Sequence, residues 1–408
     1  MAFADLGDWL TAMSRGDALW YVKRLAANDT LATKSHQAGP YVPKDFLFNA
    51  VPELNRPDVK NPDTWFSLNV DSHNEQAGIR AVWYNNRLSG GTRNETRLTN
   101  FGGSSSALLD PESTGSLAAF VFRTDHAGTS VRVWVARTSE EEDRIENVVG
   151  PVEPDRGVFW SASPQALLAL RPVTSTPANC ALSRDEIPAG WLTEFPSGVE
   201  LIRKAIELRP ATELGIDARI LRRRDCEYEL FRSVEEVVEL PRIREGFESV
   251  ESFVARAQSI LQRRKARAGR SLELHAREIL LEEGFEQDRS FAWGTESEPG
   301  RRPDFLFPSV EAYRNPGYPT RSLRMLAAKT TCKDRWRQIL NEADRIGTKH
   351  LLTLQEGVSA NQFREMTEAG VKLVVPRALH RAFPEAVRPH LMTLRAFVDE
   401  VRDLSLPG

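Results

Sequence analysis

At 408 residues the chain exceeds the usual span of one compact core, so two domains are expected. A hydrophobic share of 41% with 27% charged residues is ordinary for a soluble globular protein. The net charge of -3 argues against bulk, non-specific nucleic-acid binding, yet leaves room for a local basic face. No apolar run approaches the roughly 18 residues that span a membrane, and acids among the first apolar residues do not suit a signal peptide. Cys180, Cys226 and Cys332 are too few and too scattered for a disulfide framework or a cysteine-rich zinc site, and the seven histidines lack paired metal spacing. A reducing, cytoplasmic setting is expected.

In chain order, residues 1 to about 172 read as mixed, with more strand than helix. Segment 117–122 is a short apolar strand, and 130–136 alternates Val131, Val133 and Val135 against Arg132 and Trp134, the period of a half-buried strand. Residues 172–188 lose all periodicity and carry Pro, Ser and Thr, which marks a linker. From 197 to 284 the pattern is largely helical, with Phe253, Ala257 and Leu261 on one face. Strands are then predicted at 303–308, 323–329, 349–354 and 371–375, with a helix over about 333–345 and another after 354. That alternation implies an α/β sheet covered on both faces. Arginines cluster at 219–224 and at 263–270.

Phosphodiester hydrolysis needs a divalent cation on a phosphoryl oxygen, a positioned water and a stabiliser of developing charge. Magnesium keeps several waters, so one or two protein carboxylates suffice. One large nuclease superfamily, PD-(D/E)XK, places Pro-Asp at the start of one strand and Asp/Glu-x-Lys on its neighbour. Here Pro303 and Asp304 open a predicted strand, and Lys329 ends the next. Residue 327 shares a strand face with Lys329 but is Ala, so a carboxylate must come from elsewhere. Glu342, on the predicted helix after Lys329, is the candidate, and Glu273 is a further acid.

The stretch MLAAKTTCKDRWRQILNEAD at 325–344 closely resembles the catalytic segment of the EcoRII restriction endonucleases. So do SLELH at 271–275, PDFLFPS at 303–309, TLQEGVS at 353–359 and VVP at 374–376. KRLAANDT at 23–30, HQAG at 36–39 and TRNE at 92–95 resemble that family's effector-binding domain. The resemblance spans nearly the whole chain, and in that family the second acid has moved to the position of Glu342. It implies an N-terminal, mainly-β pseudobarrel similar to plant B3 domains over 1–172, an effector DNA-binding and autoinhibitory domain. A linker over 173–188 and an α/β endonuclease domain with a mixed, helix-flanked sheet over 189–408 complete the expectation.

The resemblance further implies a Mg²⁺-dependent type IIE enzyme, with Asp304 and Glu342 holding the metal and Lys329 and Glu273 completing the catalytic set. The target is double-stranded DNA at CCWGG-like sites, cut to leave 5′ overhangs, by a homodimer. A second copy of the site on the N-terminal domain activates it, and a cognate methyltransferase acts on the same sequence. Forked side chains read base edges, so Arg335 is assigned to guanine and Asp334 to cytosine N4; Lys333 and Arg337 stand beside them. Arg222, Arg223 and Arg224 are assigned to a nucleotide flipped from the stack. Lys23, Arg24, His36, Arg80, Arg93, Asn94, Glu95 and Arg97 are the candidates for effector DNA. Two other readings use the same residues: a structure-specific repair or recombination nuclease, and a non-catalytic DNA-binding regulator. Asp304, Lys329 and Glu342 together argue against the regulator, and the reading segment 333–337 argues against the repair enzyme.

Overall fold

A computed structural model describes residues 3, 5–16, 18–33, 39–101, 103–125, 128–161 and 178–405. The chain divides into two compact units. One comprises residues 1–175 with 355–364 and 381–389, and the other comprises 176–354, 365–380 and 390–408. No helix among the described residues is long and apolar enough to cross a membrane.

The first unit holds a mixed sheet of strands β1 (Leu19–Arg24), β2 (Asp63–Val70), β3 (Glu75–Tyr84), β4 (Glu95–Thr99), β5 (Leu117–Asp125), β6 (Gly128–Val135) and β7 (Val158–Ser161). Their order is β4-β3-β2-β6-β5-β1-β7, antiparallel throughout except between β2 and β6. Side chains alternate across a strand, and in β5 both sets are apolar. Ala118, Phe120 and Phe122 enter one core with Tyr21, Phe46, Phe66 and Ile79. Leu117, Ala119 and Val121 enter a second, closed by Trp9 of helix α1 (Leu6–Met13) and Ile145 of α3 (Ser139–Val149). Helix α2 (Lys44–Ala50) carries Phe46 into the first core. The half-buried reading of segment 130–136 therefore needs correction. Val131, Val133 and Val135 face one core, while Trp134 is buried in the other.

The second unit starts with the latter part of the predicted linker, which is not loose. Glu229 accepts the backbone N–H groups of Ala178 (2.5 Å) and Cys180 (2.9 Å), and Ser233 accepts that of Leu182 (3.0 Å). A disulfide joins Cys180 to Cys226, so the expectation of unpaired cysteines fails for these two; Cys332 is free and buried. Sequence separation of 46 residues hid the pairing. Residues 162–177, including the first part of that linker, lie outside the described residues.

Helices α4 (Ala189–Thr193), α5 (Gly198–Leu208), α6 (Ile216–Glu245) and α7 (Val250–Glu282) follow. Ser197 and Glu200 close a reciprocal capping box at the start of α5, and Ser249 with Ser252 does the same for α7. The expected apolar face through Phe253 is not core: Phe253, Val254 and Val250 are exposed, and α7 is buried only from Arg267 onward.

Strands β8 (Ala292–Trp293), β9 (Phe305–Phe307), β10 (Arg324–Ala328), β11 (Lys349–Leu352) and β12 (Val371–Val374) form a second mixed sheet in the order β12-β11-β10-β9-β8. β10, β11 and β12 run parallel, while β8 to β10 pair antiparallel. Helices α8 (Val310–Arg314), α9 (Ala360–Glu368) and α10 (Leu394–Ser405) complete the elements used here. Phe305, Phe307, Leu326 and Leu352 pack against Leu272 and Ile279 of α7 and Phe397 of α10. Their strand neighbours Leu306, Met325, Ala327 and Leu351 are buried too, so both faces of the strands are covered.

Phe397 is fully buried, its ring 5.6 Å from that of Phe307 and 5.0 Å from that of His350. Phe397→Ala is expected to cost about 3–5 kcal/mol of stability through lost burial and the cavity left behind. Urea unfolding of the full chain measures it; an unchanged midpoint would contradict this packing.

Candidate active site

Asp304 stands immediately before β9, whose Phe305 pairs with Leu326 of β10. That register sets its carboxylate beside the end of β10. Its Oδ2 accepts the backbone N–H of Ala328 at 2.8 Å and the Lys329 ammonium at 3.1 Å. Lys329 is itself anchored to β11 through its N–H to the Leu352 carbonyl (2.9 Å). Ala327, the position with no acid, is wholly buried.

The helix expected over 333–345 is instead a short 3-10 segment, Arg335–Asn341. Glu342 follows it in an extended conformation, so it sits on a turn rather than on a helix face. Its Oε2 is buried without a hydrogen-bond partner. Burial, and then the negative charge of Asp304, push the Glu342 carboxyl up to about 7, against the pull of Lys329 and Lys349. Glu273, on α7, accepts the indole N–H of Trp293 at 2.6 Å. Its pKa is likewise raised, by burial and by Asp304, with the Trp293 hydrogen bond, Arg270 and Lys329 opposing. Glu273 and Glu342 thus each feel the charges of Asp304 and Lys329.

Carboxylates held near each other at that cost suit a hard divalent cation, and the orphaned Glu342 Oε2 is a ready oxygen donor. Among the described residues no three His, Cys, Asp or Glu side chains form a closed cation cage. A magnesium ion does not require one, since water fills most of its coordination.

The 333–337 segment lies next to this cluster in sequence. Arg337 pairs with Asp334 (3.3 Å) and Glu365 (3.0 Å) and stacks over Trp336. Both members of the Arg337–Asp334 pair are substantially exposed, so both can exchange partners. Trp336 is buried, and Arg335 and Lys333 are half-buried. In the 219–224 cluster, Arg223 is 1% exposed and committed to the Pro210 carbonyl (3.0 Å) and Glu282 (2.9 Å). Arg224 is buried against Ser271 (3.3 Å), while Arg222 is half-buried. Charge runs alone cannot tell a spent arginine from a free one; here Arg223 is spent.

In the first unit, Arg24 is also structural. Its guanidinium is buried between Glu142 (2.7 Å) and Glu146 (2.9 Å) and donates to the Val152 carbonyl (2.8 Å). Leaving these partners would strand two buried carboxylates, so Arg24 is tied to the fold at the edge of the cavity described next. Lys23 instead pairs with Asp29 (2.6 Å), and with Arg97 it lines a cavity of about 250 Å³. Asn28 of the 23–30 segment lines it as well, as do Tyr41 and Arg156, which no sequence pattern singled out. Arg80 pairs with Asp63 (2.5 Å) across from the exposed Trp65. Arg93 lies over the Tyr84 ring and within 3.4 Å of Glu95, which Arg97 also meets at 3.4 Å; Asn94 accepts the Trp83 indole N–H (2.8 Å). His36 lies outside the described residues.

Residues 231–398 match the family model described as EcoRII C terminal, and residues 14–164 match that of restriction endonuclease EcoRII, N-terminal. The type II restriction enzyme EcoRII of Escherichia coli is 43% identical over 408 residues, covering 99% of each chain. The chain belongs to the EcoRII family of type II restriction endonucleases. The type II restriction enzyme SsoII of Shigella sonnei is 26% identical over 155 residues, 36% of this chain and 50% of SsoII. Among solved structures, metal-depleted Ecl18kI with uncleaved, modified DNA aligns over 52% of this chain and 80% of its own, at 19% identity and TM-score 0.41. The UbaLAI restriction endonuclease B3 domain with cognate DNA aligns over 35% and 86%, at 17% identity and TM-score 0.24.

The raised Glu342 carboxyl gives a signed pH effect. Its folded value of about 7 lies above its usual 4.5, so the folded state holds the proton more tightly. Stability of the cation-free protein therefore falls as pH climbs from about 4.5 through about 7, where the charge is forced into the site. In EDTA, Glu342→Gln should melt above wild type at about pH 8, with the difference vanishing near pH 4. An equal difference at both pH values would contradict the burial of this carboxylate.

Proposed function

We propose that this EcoRII-family chain is a Mg²⁺-dependent type IIE endonuclease that cuts double-stranded DNA at CCWGG-like sites and leaves 5′ overhangs. The observation that carries the reading is the pairing of Asp304 with both the Ala328 N–H and the Lys329 ammonium, electrostatically coupled to the buried Glu342 carboxylate. Asp304 and Glu342 would hold the cation, which supplies charge on the phosphoryl oxygen and acidifies a bound water. Lys329 orients the attacking water and offsets the charge that develops on phosphorus. Glu273, locked by Trp293, adds negative charge beside Asp304 and completes the acidic wall.

Sequence reading falls to the segment after Lys329. Arg335 donates to guanine and Asp334 accepts from cytosine N4, while Arg337, exposed at its edge, and Lys333 meet bases or phosphate. Arg222 is the member of its cluster best placed to meet an extruded nucleotide, since Arg223 is enclosed. A two-fold target calls for a homodimer, one site per strand. The N-terminal unit, read as a B3-like fold, would take a second copy of the site through residues drawn from Lys23, Arg24, His36, Arg80, Arg93, Asn94, Glu95 and Arg97. Binding there relieves a block on cleavage, a shift between two populations. The cognate methyltransferase would protect the same sequence.

Digestion of a plasmid bearing several CCWGG sites tests this reading. Wild type with Mg²⁺ should give discrete fragments; EDTA or Lys329→Ala should abolish them. A single-site plasmid should resist until a short duplex carrying a second site is added. Absence of site-specific fragments from wild type overturns the proposal.

A further inference from the structure

Glu342 caps the 3-10 segment, its N–H bonded to the Ile339 carbonyl (3.1 Å), and the chain turns immediately after it. The residue after it, Ala343, has a φ of +51°, a left-handed conformation that a side-chain-bearing residue resists by about 1 kcal/mol or more. Something must hold that turn. Lys349, the first residue of β11, is 5% exposed, and its ammonium donates to the carbonyl of Glu342 and to that of Ala343 (2.7 Å). Glu298 accepts the backbone N–H of Asp344 (3.2 Å) and the hydroxyl of Tyr313, and that hydroxyl accepts the N–H of Arg345 (3.3 Å). The Arg345 guanidinium donates to the carbonyls of Asn315 and Tyr318, each at 3.0 Å.

We propose that Lys349 is a positioning residue for the Glu342 carboxylate. The inference rests on the reading of Asp304 and Glu342 as a cation site. A carboxylate carried on the strand beside Lys329 would be fixed by the backbone ladder itself. Position 327 is Ala, so the acid arrives on an irregular turn and needs another reference to the sheet. Lys349 supplies it. Its backbone N–H is bonded to the Gly370 carbonyl (2.9 Å), its strand pairs with β10, and its charged donors grip the two carbonyls that flank the turn. Charge-assisted hydrogen bonds to two successive carbonyls restrict the backbone more than neutral ones would. The ammonium does not approach substrate or cation in this role; it acts through the backbone of Glu342.

The test compares wild type with Lys349→Met, Lys349→Gln and the double variant Lys349→Met/Ala343→Gly. Two readouts are taken on the full chain: the rise in Tm on titration with Ca²⁺ in the absence of DNA, and the Mg²⁺ concentration for half-maximal plasmid cleavage. Loss of an outer partner of a metal ligand typically weakens cation binding about 10–100-fold. Both half-saturation values should rise by about tenfold or more in Lys349→Met. Lys349→Gln, which retains a shorter donor, should fall between. Adding Ala343→Gly, which removes the left-handed penalty, should recover part of the loss. A general structural role would lower Tm without shifting half-saturation, and wild-type half-saturation in Lys349→Met overturns the inference. If the Met variant does not fold, wild-type half-saturation in Lys349→Gln overturns it alone. Should wild type itself show no cation response while Asp304→Asn behaves identically, the cation site is refuted and the positioning role falls with it.

Discussion

The Asp304 carboxylate is the hinge on which the candidate active site depends. One oxygen accepts two donors that follow each other on β10 and its end, the Ala328 N–H and the Lys329 ammonium. These two bonds tie the start of β9 to the end of β10. The carboxylate also sets a negative charge against which Glu273 and Glu342 must be buried, and both respond by holding their protons more tightly. The surrounding architecture resists this repulsion with packing. β9 and β10 are sealed by Phe305, Phe307 and Leu326 on one side and by Leu306, Met325 and Ala327 on the other.

Much of this was legible in the chain itself. Strand segments near 305, 324, 349 and 371 show as short apolar runs between turn residues, because such runs have few other ways to be buried. Asp304 and Lys329 were visible because their chemistry fixes their spacing relative to strands. Glu342 is the candidate acid that the sequence offers, and its setting differs from the expected one. A 3.6-residue pattern over 333–345 suggested a helix, whereas a 3-10 segment and a left-handed Ala343 deliver the carboxylate. Local periodicity carries no information on the Lys349 and Glu298 contacts that make such a turn possible, since they come from other elements.

Charged residues were the least readable class. Arg24 and Arg223 look like surface cations in sequence and are buried in pairs with Glu142, Glu146 and Glu282. Their partners lie 59 to 122 positions away, beyond any local pattern. The same holds for Cys180 and Cys226. Phe253 differs in the opposite sense: it lies on an apolar helical face, yet the outer part of α7 leaves it exposed. Hydrophobic spacing says which residues share a face, not whether that face meets anything.

The first unit's sheet has a further consequence. Along β5, apolar residues fill both sides, so that strand has no free wall to offer a ligand. Only toward β2 and β3 does one side open, and there Trp65, Ser67, Gln76 and Arg80 occupy the alternate positions to Phe66, Leu68, Ala77 and Ile79. Sequence drift in this unit is thus partitioned by geography. β5 can trade one apolar side chain for another of equal bulk but has no room for a polar reader. The open margin at β2 and β3 escapes that packing constraint, so a polar side chain such as Arg80 can stand there without displacing the core.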